Sequence, residues 1–267
     1  MNFPSSRVRG MNIFRPVHLC CRATAIASFV VLIGTLAYGQ VPDRPKYGPG
    51  AVRLYEAREY VQRNPAPDFW ALIPYYAAQP DDRSCSAASV CMLANALRVE
   101  RSLGADEPLV TQAALLESVP ADQWRDKVAP GGEGLSLGEL AAVIPRALAA
   151  FGIGAEVEMV RFADESAAAK RRLRELLVEN ERSGRDLILV NFLQSRLTGD
   201  PEGAVGHIAP IGAYDAERRR VLILDPDRQW YEPYWVSEET LLSAMATTDP
   251  VSGGPRGLVH VSIRADR

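Results

Sequence analysis

The chain has 267 residues, a net charge of -3 and a pI near 5.7, with 24% charged and 47% apolar residues. These are the proportions of an ordinary globular protein with one sizeable domain or two small ones, and they exclude an extended disordered chain. They also leave no basic field for nucleic acid: the run Lys170 to Arg174 sits among glutamates on a solvated helix face.

Residues 1–39 read as an export signal. Arg7, Arg9, Arg15 and Arg22 make a basic lead, Ala23 to Leu36 is apolar and uncharged, and Ala37-Tyr38-Gly39 offers small residues before Gln40 where a signal peptidase cuts. Met11 is an alternative start. The apolar run is shorter than the roughly 20 residues of a spanning helix. The expectation is therefore an exported protein, periplasmic in a Gram-negative cell, with no stable membrane association once the signal is removed; a retained signal would make it membrane-anchored. Residues 40–66, rich in Pro, Arg and Tyr, form an N-terminal arm with a short helical pattern near Leu54 to Gln62, and residues 67–267 form the domain that carries the chemistry.

From Pro67 to Ala78 the aromatics Phe69, Trp70, Tyr75 and Tyr76, each expected to pack in the core, wall the stretch that follows. That stretch, QPDDRSCSAASVCMLANAL from Gln79 to Leu97, places Cys85 where a turn gives way to a helix that is apolar on almost every face, and so buried in the domain. At a helix start the unpaired N–H groups favour thiolate over thiol; Arg83 adds to this, while Asp81 and Asp82 oppose it. Gln79, six residues upstream, is spaced to fold its amide back toward an oxyanion forming at the sulfur. A free cysteine is more often a small buried hydrophobe, so the thiol alone does not establish a nucleophile. Loss of the leader removes Cys20 and Cys21 and leaves Cys85 and Cys91. Six residues of helix rise roughly 9 Å, beyond the roughly 7 Å that a disulfide spans. Two unpaired thiols in an oxidising compartment need burial or a chemical task; Cys91 suits the first and Cys85 the second.

A second set of helices follows. Thr111 to Val119 is helical by its Ala and Leu content, Pro130 to Gly134 breaks it, and Ser136 with Glu139 forms a capping box before LAAVIPRALAAFGI. Pro145 is expected to kink or shorten that helix, with Gly152 and Gly154 ending it. EVEMV alternates as a strand, and a helix from about Glu165 to Arg182 buries Leu173, Leu176 and Leu177. From Arg185 the pattern turns to β: DLILVNFL, GHIAPIGAY, RRVLILD and GLVHVSI read as an antiparallel sheet, with a helix from Glu238 to Met245 between the last two. The expected order is a helical half carrying the cysteine, then a sheet half.

A thiol nucleophile needs a base, and beyond the leader only His207 and His260 are available. His260 alternates within a strand, where a structural role is favoured. His207 follows Gly203 and Gly206 and starts an apolar strand, and Asp225 ends the next one, a hairpin away; if those strands pair, the carboxylate can orient the imidazole. An acid before Pro226 is equally a turn former. Two histidines and two cysteines on divergent elements make no metal-ligand cluster.

QPDDRSC, the helix ending NAL, NFL before GHIAPIGAYD, and LILDPDRQWYEPYWV followed by DPVSGGPRGL together resemble the phytochelatin synthase family, the glutathione γ-glutamylcysteinyltransferases of the papain-like superfamily, over about Phe69 to Ile263. The resemblance implies an α+β papain-like fold, a helical lobe with a central nucleophile helix beside an antiparallel sheet lobe. It implies Cys85 as nucleophile, Gln79 as oxyanion donor, and His207 and Asp225 as the rest of the triad. Arg228, Asp249 and Arg256 fall on the family's substrate-binding positions, and a γ-glutamyl group, with its free amine and carboxylate, calls for such an acid and arginine. The implied substrate is glutathione, with no metal cofactor and heavy-metal ions entering as metal-glutathione thiolates; a homodimer is left open. Ser84 and Ser86 depart from the family's aromatic and glycine beside the cysteine and predict a wetter acceptor side. The chain stops soon after Ile263, without the cysteine-rich extension of the plant enzymes, and such short bacterial forms resemble hydrolases more than efficient polymerisers. Two other readings are a papain-like peptidase or amidase on other peptides, and a non-catalytic glutathione or metal-thiolate binding protein.

Overall fold

The computed structural model describes residues 46–98 and 102–263; the proposed export signal lies outside them. Among the described residues one antiparallel sheet is built from β1 (Ala51–Arg53), β2 (Ala155–Arg161), β3 (Asp186–Leu193), β4 (Gly206–Asp215), β5 (Arg220–Ile223), β6 (Tyr234–Ser237) and β7 (Gly257–Ile263), in the order β1-β6-β5-β4-β3-β7-β2. The helices are α1 (Glu59–Arg63), α2 (Pro67–Leu72), α3 (Cys85–Ala96), α4 (Gln112–Glu117), α5 (Arg125–Val128), α6 (Leu137–Ala150), α7 (Ala167–Asn180), α8 (Gln194–Thr198) and α9 (Glu238–Met245).

Helices cover both faces of the sheet. Leu187 and Leu189 of β3 pack with α3, α4 and α6, while Ile188, Val190 and Phe192 of the same strand pack with α7 and α9. This is why β3 and β4 are nearly unbroken apolar runs: alternation survives only where one face meets water. It also corrects the picture of a helical half followed by a sheet half, because α7 and α9 form the second covering layer. Two short strands at the far edge, β1 and β6, escaped the sequence reading. The supposed arm thus supplies an edge strand, with Val52 opposite Trp235. The three residues of β1 and the four of β6 carry too little periodicity to be seen, whereas the equally short β5 lies in the continuous apolar run Val221 to Leu224.

All twelve residues of α3 are buried, and its polar members are satisfied inside. Ser89 donates to the Ile208 carbonyl at 3.0 Å, and Asn95 bonds the backbone of Val110 in both directions at 2.9 Å. In α6 the Ser136–Glu139 capping box is complete, but the helix runs on through Pro145 to Ala150 instead of stopping. Pro145 sits on the solvent side, where water can take the orphaned carbonyl, and the buried stripe of Leu140, Val143, Ile144, Ala147 and Leu148 continues past it. Gly152, at φ +71°, closes the helix in the left-handed region. Of the four aromatics before Gln79, Phe69 is buried but Trp70 is 58% exposed, its ring edge-on to Phe69.

Candidate active site

The strand register brings the C-terminal ends of β3 and β5 and the N-terminal ends of β4, β6 and β7 to one end of the sheet. A cleft of about 800 Å³ opens there, lined by Gln79 and Cys85 from the helix side and by His207, Asp249 and Arg256 from the strand ends. Cys85 is the first residue of α3, so the sulfur stands at the positive end of the buried helix. Asp81 shapes the approach: its Oδ1 accepts from the Arg83 N–H at 2.9 Å and the Ser84 hydroxyl at 2.7 Å.

His207 is buried at the start of β4, and its Nε2 lies 2.8 Å from Asp225 Oδ1. Asp225 is wholly buried, and a bare carboxylate there would cost several kcal/mol in lost hydration. Four donors offset this: His207 Nε2 and the Asp227 N–H on Oδ1, Gln194 Nε2 (3.0 Å) and the Tyr234 hydroxyl (2.9 Å) on Oδ2. Burial raises the Asp225 pKa, but the His207 charge and these hydrogen bonds outweigh it and hold the carboxyl below its usual range. An ionised Asp225 requires the proton on Nε2, which leaves Nδ1 for the thiol. Burial alone would lower the His207 pKa; the charges and hydrogen bonds of Asp225 and Cys85 reverse this and lift it well above the ordinary histidine value. The arrangement favours an imidazolium facing the Cys85 sulfur.

Gln79 is tied to the same loop, its N–H donating to the Pro226 carbonyl at 2.8 Å. Its Oε1 is buried without a partner, so Nε2 is the end that meets the open cleft. Along the strand ends, Arg256 is 2% exposed, with Nη1 3.3 Å from Asp249 Oδ1. Its Nε and Nη1 make no hydrogen bond within the protein, leaving donors ready for an anion. Gly206 makes room for it: a Cβ there would stand 3.0 Å from Arg256 Nη2. Asp249 is set by the Ser252 N–H and hydroxyl. Asp249 and Arg256 therefore meet each other in the cleft that holds Cys85, His207 and Gln79.

Arg228 stands apart. Its guanidinium stacks on Tyr76, 4.7 Å from the ring centroid, outside the cleft lining, and the Tyr76 hydroxyl in turn donates to the Asp225 carbonyl at 2.6 Å. It braces the Asp225 loop. The two serines beside Cys85 also differ from expectation, because both hydroxyls are occupied: Ser84 on Asp81, and buried Ser86 accepting from Trp124 Nε1 at 3.0 Å. Neither lines the cleft. Gln194, Tyr234 and Lys46, which rests over the rings of Trp230 and Tyr231 at 5.1 and 5.4 Å, went unremarked in the sequence. Gln194 directly follows the NFL strand end and Tyr234 lies within the LILDPDRQWYEPYWV stretch, so both stood at a motif, whereas Lys46 did not. His260, as its strand position suggested, bonds Asp186 at 2.9 Å outside the cleft lining. Among the described residues no group of three or more His, Cys, Asp or Glu could hold a metal ion.

Comparison with known proteins places the chain in a family. Glutathione gamma-glutamylcysteinyltransferase 2 of Arabidopsis thaliana is 28% identical over 206 residues, covering 76% of this chain and 42% of the relative. Glutathione gamma-glutamylcysteinyltransferase 3 of Lotus japonicus is 29% identical over 201 residues, covering 73% and 37%. The glutathione gamma-glutamylcysteinyltransferase of Schizosaccharomyces pombe is 35% identical over 75 residues, 27% of this chain and 17% of that one. The chain thus spans about two fifths of the length of the plant relatives. The family model described as phytochelatin synthase matches residues 51–258, from the β1 edge strand to the start of β7, and the chain belongs to that family.

Proposed function

We propose that this protein is a papain-like thiol acyltransferase and hydrolase that cleaves the Cys-Gly bond of glutathione. The observation that carries the reading is the single cleft in which the Cys85–His207–Asp225 relay faces a buried Arg256 with unpartnered donors beside Asp249. Arg256 takes the α-carboxylate of the γ-glutamyl end and Asp249 its ammonium. The Cys85 thiolate attacks the Cys-Gly carbonyl, and the oxyanion meets Gln79 Nε2 and the Cys85 N–H at the helix start. As the C–N bond breaks, the His207 imidazolium gives its proton to the departing glycine nitrogen, leaving a γ-glutamylcysteinyl thioester. His207, now neutral, takes a proton from the resolving nucleophile: water yields γ-glutamylcysteine, and the amine of a second glutathione yields (γ-Glu-Cys)2-Gly. Either route frees the Cys85 thiolate.

The strand order suggests where the two ends lie. Arg256 precedes β7, two strands from β4 on one side, whereas Asp227, Trp230 and Tyr231 follow β5 on the other. The glycine end then leaves toward Lys46 and Trp230. The cleft sits in the upper part of the roughly 300–1,000 Å³ range of small-molecule sites. Space beside the thioester fills with water until a second peptide occupies it, so hydrolysis dominates at low glutathione and oligomers grow with its concentration. Bound cadmium acts as part of the thiolate substrate, and export of the protein rests on the basic-then-apolar N-terminus.

The test is incubation of the purified protein with glutathione, with and without cadmium, followed by mass analysis. The expected products are glycine, γ-glutamylcysteine and minor oligomers. No glycine release from glutathione under either condition would overturn the reading; oligomers as the main early product at low glutathione would reverse the balance of the two routes.

A further inference from the structure

Asp225 presents Oδ1 to His207 because its other oxygen is held from two directions, by Gln194 at the start of α8 and Tyr234 at the start of β6. We propose that Gln194 and Tyr234 are positioning residues of the relay: by both donating to Oδ2 they stop the Asp225 carboxylate from turning and so keep the His207 ring aimed at Cys85. Neither touches the reacting atoms. A carboxylate bonded to the imidazole alone can rotate about its Cβ–Cγ bond, and the ring would swing with it. The Phe192 ring, T-shaped to His207 with centroids 5.5 Å apart, packs against the imidazole as well.

The surroundings are built for donation as well as packing. Gln194 is 2% exposed, yet its Oε1 has no hydrogen-bond partner. An apolar side chain of the same size would avoid leaving a buried acceptor unsatisfied, so what the amide contributes is its N–H. Gly203 leaves it room: a Cβ there would come 3.2 Å from Gln194 Cγ. Tyr234 is wholly buried, its ring stacked at a tilt on Tyr47 and edge-on to Tyr231. Burial and the Asp225 charge keep its pKa far above the ordinary tyrosine value, so the hydroxyl remains a donor at every working pH.

This inference rests on the proposed Cys85–His207–Asp225 relay, and the test separates it from the choice of substrate. Tyr234→Phe keeps the ring and removes the donor; Gln194→Glu keeps the shape and donates only while protonated. The group at position 194 faces Asp225, Tyr234, Tyr231 with its Asp200 partner, and His207, with Asp227 and Lys46 beyond. The carboxylates among these raise the pKa of a carboxyl placed there. The readouts are kcat and KM for glutathione, and the pH dependence of Cys85 alkylation by iodoacetamide, located by peptide mass, with thermal unfolding followed at each pH. Tyr234→Phe is expected to lower kcat about tenfold with KM within about twofold. Gln194→Glu is expected to approach the unsubstituted protein at acid pH and, as pH rises toward neutral, to lose turnover and fall behind the unsubstituted protein in alkylation rate, reversibly and while the fold holds. An unchanged kcat and alkylation profile in Tyr234→Phe would overturn the proposal, as would a pH-independent loss in folded Gln194→Glu. If Gln194→Glu does not fold, Tyr234→Phe decides alone. Alkylation needs no glutathione, so an unsubstituted protein that alkylates as expected but releases no glycine would sink the substrate and leave the positioning role standing.

Discussion

The described residues contain two cysteines and two histidines, and one of each stands at the cleft while the other stands away from it. Cys85 and Cys91 share one helix, yet Cys85 opens α3 at the cleft, whereas Cys91 donates to the Val110 carbonyl at 3.1 Å and has its pKa pushed up to about 11 by burial. His207 and His260 share one sheet, and each bonds an aspartate, at 2.8 and 2.9 Å. The pair distances barely differ. What separates the two histidines is the setting: His207 has a thiol on its free side and an aspartate held by three further donors, while His260 and Asp186 cross-link β7 to β3 at partly exposed positions. A His–Asp contact is therefore no site in itself; the helix end and the cleft make it one.

The sharpest way to break this comparison is at the thiols. Cys85→Ala should reduce glycine release by at least about a thousandfold, since nothing else can form the thioester. Cys91→Ala should keep activity within about twofold and cost about 1 kcal/mol on denaturant unfolding, as a small buried side chain is trimmed. Equal losses would mean that the helix is needed only as scaffold.

The histidines come next. His207→Ala should lower kcat by about 10²–10⁴, the usual contribution of a positioned acid and base, and His260→Ala should leave it nearly unchanged. A reversed ranking by steady-state kinetics would assign the relay to the wrong strand.

A pH experiment sharpens the same contrast. The Asp225 charge raises the His207 pKa, so Asp225→Asn should move the alkaline limb of kcat/KM to lower pH. In the unsubstituted protein, stability from the pair has two edges. Asp225, with a depressed pKa, contributes above the unfolded value of 3.8 and loses its contribution as pH falls through the folded value. His207, with a raised pKa, contributes fully below 6.5 and loses its contribution as pH rises through the folded value. Unfolding free energy measured against pH should show one interaction with these two limits; an alkaline limb unmoved in Asp225→Asn would contradict the assigned cause.

The smallest expected effects separate the arginines. Arg256→Lys should lower kcat/KM for glutathione by about 10- to 100-fold, because a point charge cannot replace a planar fork of donors. Arg228→Lys should change it by less than about threefold, acting only through Tyr76. Comparable losses in the two variants would bring Arg228 back to the substrate.

Local pattern determined much of this protein. The buried α3 with Cys85 at its start, the complete Ser136 capping box and the β3–β4 and β7 strands were legible because each rests on interactions a few residues apart. The pairing of His207 with Asp225 was foreseeable as well, since one hairpin joins them. The tertiary structure decided the rest. Short β1 and β6 exist only through their partners, α6 passes Pro145 because tertiary burial outweighs one lost hydrogen bond, and helices settle on both faces of the sheet. Gln194, Tyr234 and Asp225 meet from three elements, and Arg228 turns to Tyr76 rather than to the cleft. Such contacts are set by side-chain direction and strand order across long stretches of chain, and no spacing in the sequence records them.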